Sequence, residues 1–361
     1  MKNNTQMSIL KGLGIILVVI GHKFNEPFYW FYPGSFHMAL FIFISGYFYN
    51  EKYEQDRISF LKKRCNNLLG LYFKYNLFYY LITFIIFKKY NLLLGTQLDF
   101  KSFFLSPFTH GHQYHLFLSA WFVVTIFLVQ VIFLYLFMGM KTITKNKYIH
   151  LVVFFLFGLS GTLLAAKGYN TGILLPVVKI LFSLPFFYGG LFFKKYIEKI
   201  NIYRSETILG VFIIQMILAW HYNNSGDLSG YALSWGDFNG HLLSPFILSI
   251  NGIVLYLFIS KALSKVLKPN DLLVKLGENS FHIMANHLFI FFIINYLFSK
   301  IFEINMGQIN VWYSYDLEKY WFIYVVLGLL VPTYSAISFR KVKAFLELFF
   351  LAKEKNLNKS I

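Results

Sequence analysis

Two bases bracket an apolar run near the start of the chain: Lys11 and His22, in KGLGIILVVIGH, with nothing polar between them. Eleven positions is about three helical turns, so both side chains leave one helical face, ~16 Å apart along the axis. In a chain this apolar, that is an amine near one bilayer surface and an imidazole near the other. The next apolar run, FHMALFIFISGYFYN, repeats the theme with His37 near its start. An imidazole, whose unperturbed pKa is about 6.5, suits proton transfer or brief covalent capture of a group. Glu26, four residues past His22, is placed to orient an imidazole and equally to be a solvated loop carboxylate. These residues predict an integral membrane enzyme organised around its first two segments.

Composition supports the membrane class. Of 361 residues, 57 % are hydrophobic, 21 % aromatic and only 14 % charged, where a soluble domain carries about 25 % charged residues. A net charge of +17 would suggest nucleic acid in a soluble protein; here it reads as lysines crowding the loops on one side of a bilayer. The one cysteine, Cys65, excludes an internal disulfide and a Cys-based metal cluster. The first segment lacks a small-x-small cleavage site, so it reads as a span rather than a signal peptide.

Ten apolar stretches are marked at about 7–22, 36–50, 68–87, 116–138, 150–166, 173–193, 207–221, 241–260, 280–299 and 320–339. Each crossing takes roughly 20 residues, so the shorter ones extend into their loops or tilt little. The N-terminus and loops 51–67, 139–149, 194–206, 261–279 and 340–361 hold 23 Lys and Arg, against 7 in the alternate loops. That asymmetry predicts an all-α, polytopic protein with both termini cytoplasmic. Residues 1–340 read as one membrane domain and 341–361 as a basic cytoplasmic tail.

The histidines segregate in this frame. His22, His37, His110, His112, His115, His221 and His241 fall at or beyond the outer helix ends, and His287 lies inside the ninth helix. His287 is a functional candidate by default as an intramembrane ionisable residue. The spacing of His110, His112 and His115 could ligate a metal, but no Asp, Glu or Cys accompanies them. Acceptor binding or loop structure is the favoured reading, and no metal is expected. Pro107 and Gly111 break helical continuity there, so the segment 88–115 is expected to fold back over the membrane opening. Lys11 reads either as a snorkelling amine or as a phosphate ligand. Ser45 and Gly46 read as close helix packing or as part of a site. Tyr47 belongs to a set of helix-end aromatics that serve as interface anchors or as sugar-stacking surfaces.

The chain resembles the membrane acyltransferase 3 family, integral membrane enzymes that O-acylate extracytoplasmic glycans. The resemblance rests on four elements in order over nearly the whole chain. VVIGH at 18–22 closes a variant of the family's Arg-to-His motif, with Lys11 in the arginine's place. FHMALFIFISGY, the pair Trp121-Phe122 in SAWFVV, and GENSFHIMANH from Gly277 to His287 follow. Lysine keeps the positive charge but loses the bidentate fork of arginine.

The resemblance implies a catalytic His22 and a donor-binding Lys11; with the residues read above, His37 and Glu26 join His22, and Ser45, Trp121 and His287 are assigned to the donor. His110, His112, His115 and Tyr47 are assigned to the acceptor. It further implies acetyl-CoA as acyl donor and a surface polysaccharide or lipid-linked glycan as acceptor. The setting is a bacterial cytoplasmic membrane, with the lipid bilayer a partner, no nucleic acid involved and a homo-oligomer allowed. The competing reading is a membrane component that exports a surface polysaccharide without acyl transfer.

Overall fold

The computed structural model describes residues 4–22, 33–200, 203–225, 230–303 and 317–357. Among them the protein is all-helical; the only strand-like features are two isolated bridges, Gly95 with Tyr114 and Ala232 with Asp237. Helix α1 spans Thr5–Gly21 and starts cleanly because the Asn4 side chain accepts from the Met7 N–H at 3.1 Å, a conventional N-cap. Helix α2 spans His37–Tyr47, only about 16 Å long. Helix α3 runs Arg57–Tyr90, with a π-helical turn at Cys65–Gly70. A 3-10 turn at His115–Ala120 leads into α4, Trp121–Ile143. Then follow α5 (Lys147–Ala166), α6 (Leu174–Phe192), α7 (Ser205–Ser225) and α8 (Ser244–Leu263). The chain closes with α9 (Leu272–Glu278), α10 (Ser280–Ile301) and α11 (Leu317–Leu357).

Among the described residues seven helices are long and apolar enough to cross a membrane, and three shorter apolar helices lie at Thr5–Gly21, His37–Tyr47 and Ser205–Leu218. Helix α1 is the hub: α2, α8, α9, α10 and α11 all pack on it. Such contact requires small residues, because dispersion and close backbone approach, rather than water exclusion, drive helix association in lipid. A Cβ on Gly277 of α9 would strike the Ser8 carbonyl and the Gly12 amide of α1. Where α2 crosses α6, Gly46 and Gly190 play the same role: a Cβ on either would meet the other helix's backbone.

Two features depart from the reading of the sequence. Residues 261–279 read as a simple inner loop, yet they contain α9, whose seven residues bury Val274, Leu276 and Gly277 against the hub. The basic tail, read as separate, continues α11 through Leu357 without a break. After Pro332 that stretch has neither Gly nor Pro and is rich in strong helix formers. Lys343 and Glu347 add an (i, i+4) pair at 3.8 Å. The segment before α4 closes on itself through backbone bonds from Thr96 to Gln113 and from His115 to Leu94. Gln113 is buried there, donating to the Tyr72 hydroxyl at 2.8 Å and to Asn76 Oδ1 at 2.9 Å.

Candidate functional site

A cavity of about 350 Å³ opens between the C-terminal end of α1, α2, α4 and the start of α10. Its walls are mostly apolar, and the polar groups among them include His22, His37, Ser45, Ser119, Trp121 and Gln130. Apolar walls with a few convergent polar groups are the usual make-up of a small-molecule site.

His22 is the C-cap of α1, and its Nδ1 lies 2.7 Å from the Val18 carbonyl. A carbonyl only accepts, so Nδ1 carries the proton and the neutral ring keeps its lone pair on Nε2. His287, from the middle of α10, stands edge-on to it with ring centroids 4.9 Å apart at 67°. His287 is fully buried, and its Nδ1 donates to the Ile283 carbonyl at 2.9 Å. Both imidazoles are thus turned by the same device, a bond back to the carbonyl one helical turn earlier. His37 is the first residue of α2. The turn before it is tied down by Ser249 of α8, whose hydroxyl donates to the Ser35 carbonyl at 3.1 Å.

On the opposite wall, Gln130 of α4 donates to Ser45 of α2 at 2.8 Å. Gln130 is buried, and its Oε1 has no hydrogen-bond partner among the described residues. Ser119 also lines the cavity, its hydroxyl spent on the Met284 carbonyl at 2.6 Å. Gln130 was not singled out in the sequence, although a signal existed: it is the one amide in an apolar stretch of 23 residues. Intramembrane polar groups are expensive and so are candidates by default.

Trp121, first residue of α4, forms a wall backed by a second polar cluster. The Lys179 ammonium lies 4.6 Å from the Trp121 ring centre and donates to the His110 carbonyl at 3.3 Å. Lys179, the one charged residue of the stretch 173–193, also escaped notice, yet it is only 2 % exposed. His112 packs against Trp235 with ring centroids 4.0 Å apart and the planes tilted by 48°, and its backbone N–H donates to His110 Nδ1 at 2.9 Å. Burial, then the charges of Lys179 and His110, push the His112 pKa down to about 3. His112 is therefore a neutral packing group at ordinary pH. His110, His112 and His115 stand behind the cavity wall rather than on its lining.

The remaining candidates are elsewhere. Lys11 lies nearer the other end of α1, within electrostatic reach of Glu278. Tyr47 is at the far end of α2 from His37, donating to Glu198 at 2.7 Å and accepting from Asn4 at 3.0 Å. Glu26 lies outside the described residues. Among the described residues no group of three His, Cys, Asp or Glu is arranged to hold a metal ion.

A cavity that gathers His22, His37, Ser45, Trp121, Ser280 and Met284 takes one residue or more from each of the four sequence elements quoted above, and His287 of the fourth also touches His22. No curated protein and no solved structure matches the chain. The family model of an acyltransferase domain matches residues 4–339, nearly the whole chain, and the protein therefore belongs to the acyltransferase 3 family.

Proposed function

We propose that this membrane acyltransferase moves an acetyl group from cytoplasmic acetyl-CoA to a hydroxyl of an extracytoplasmic polysaccharide or lipid-linked glycan. In this reading ten helices span a bacterial cytoplasmic membrane, with both termini inside, as the 23-to-7 division of basic residues favours. The observation that carries the chemistry is the His22 ring on the cavity wall, held with its lone pair on Nε2 by the bond to Val18.

The acceptor hydroxyl barely ionises at neutral pH, so attack on a thioester carbonyl needs a base. His22 Nε2 takes the hydroxyl proton as the oxygen forms its bond to the acyl carbon. Collapse of the tetrahedral adduct breaks the carbon–sulfur bond, and the imidazolium returns the proton to the departing CoA thiolate. The Gln130 amide, the Trp121 indole N–H and His37 are among the lining groups whose chemistry allows donation to the transient oxyanion. His287 packs edge-on to His22 and holds it in place as a positioning residue. Lys11 serves the donor's phosphates as a point charge nearer the cytoplasmic end of the same helix.

The test is release of free CoA by the purified protein in detergent, given acetyl-CoA and candidate glycans, beside His22→Ala. Thiol release that needs both acceptor and His22 supports the reading. Indifference to His22, with glycan moved and no thioester consumed, would turn it to export.

A further inference from the structure

A second cavity, of about 310 Å³, lies at the other end of the molecule, where α4 ends, α5 begins and α6 passes into its last π-helical turn. Four lysines line it: Lys141 from α4, Lys145 from the turn, Lys147 at the first position of α5, and Lys195 after α6. Two carboxylates face them. Glu51 bridges Lys141 and Lys195, and Glu54 takes Lys141 at 2.8 Å. Burial alone would raise the Glu51 pKa, but its bonds to Lys195 and Lys141 outweigh that and hold it low, so it stays ionised. Four ammonium groups against two carboxylates leave two positive charges without a counter-ion. Among the described residues neither Lys145 nor Lys147 has a carboxylate partner. Lys147 rests instead over the Tyr196 ring at 4.0 Å.

We infer that this pocket binds a phosphate group, that of an anionic phospholipid headgroup. The inference does not depend on the acyl-transfer reading. Compact ammonium groups on flexible stems suit phosphate as point charges. Tyr188, Tyr196 and Phe192 supply the amphipathic wall common where a headgroup meets hydrocarbon. Two molecules carry the right chemistry, a phospholipid and the nucleotide end of coenzyme A. The flank favours the lipid: α5 runs away from the pocket with Tyr148, Val152 and Leu156 each more than half exposed, an apolar track for acyl chains. On its other flank, by contrast, Phe133, Tyr49 and Phe187 are buried and pack ring against ring. A basic pocket between helices on the lysine-rich side of a membrane protein is also where anionic headgroups are attracted most strongly.

The experiment compares the full-length protein with Lys145→Gln/Lys147→Gln, measuring lipid retention by native mass spectrometry after delipidation. Probes are phosphatidylglycerol, phosphatidylethanolamine with the same chains, and CoA. Both lysines are away from the packed core, and a thermal melt in detergent checks that the variant folds. The wild type is expected to retain phosphatidylglycerol over phosphatidylethanolamine. The double variant should lose about 30-fold of that retention, roughly the combined pull of two basic residues. Equal retention of the two lipids, or retention unchanged in the variant, overturns the inference. So does a variant that loses CoA binding while keeping phosphatidylglycerol, which would assign the phosphate to the nucleotide.

Discussion

The two cavities are nearly equal in volume, about 350 and 310 Å³, and opposite in chemistry. One is lined by imidazole, indole, amide and hydroxyl groups among apolar side chains, and among the described residues no carboxylate or ammonium stands on its walls. The other is lined by four ammonium groups, a carboxylate and aromatic rings. The difference follows from what each must stabilise. A water-poor enclosure strengthens each hydrogen bond offered to developing charge. A permanent anion is met by fixed positive charge, which at the lysine-rich surface of a membrane protein attracts anionic headgroups. On the two readings proposed above, the same fold separates a place for proton transfer from a place for holding phosphate.

The sharpest way to break this comparison is to remove the histidine chemistry alone. His22→Ala should lower CoA release by roughly 10²- to 10⁴-fold, the usual contribution of a general base. Its phosphatidylglycerol retention should stay at the wild-type level. A variant that lost both together would show one coupled site instead of two. The reciprocal change, Lys145→Gln/Lys147→Gln, is the about 30-fold loss of lipid retention set out above.

Gln130→Leu sharpens the role of the neutral wall. It deletes the bond to Ser45 and an amide able to meet the oxyanion. Steady-state kinetics should show turnover down by about 10-fold or more, with the Michaelis constant for acetyl-CoA less affected. A change in the Michaelis constant alone would make Gln130 a binding group.

The smallest expected effect concerns pH. His112 titrates at about 3 in the folded protein against about 6.5 in an unfolded chain. Below pH ~6.5 the unfolded state therefore binds more protons, and stability falls as the pH drops toward 3. The slope is at most ~1.4 kcal/mol per pH unit. Thermal melts in detergent between pH 7 and 4 should decline, and His112→Gln should flatten the decline. An unchanged slope would show that other groups govern acid sensitivity.

Some of the arrangement was legible because it is local. The eleven-residue spacing of Lys11 and His22 needs only helical periodicity, and α1 does run from Thr5 to its C-cap at His22. His37 opens α2 and Trp121 opens α4, both at element starts readable from the onset of apolar runs. Helix α9 was not legible, because seven residues carry too little periodicity and its burial depends on Gly277 meeting Ser8 and Gly12. Tyr47 looked like the helix-end aromatics near His37. It sits at the opposite end of α2, because eleven residues carry the chain about 16 Å along its axis.

By itself, the sequence determined the membrane class, the helical build, the uneven division of basic residues between alternate loops and the family to which the chain belongs. All follow from composition, hydrophobic runs and motifs that survive without knowledge of neighbours. Only the tertiary structure decided which polar groups meet: His22 with His287, Gln130 with Ser45, Lys179 with Trp121 and His110. Those partners are separated by scores to hundreds of residues, and the glycine contacts that set the distances between their helices are properties of pairs. A one-dimensional pattern records each residue's polarity and period, but not the helix it will face.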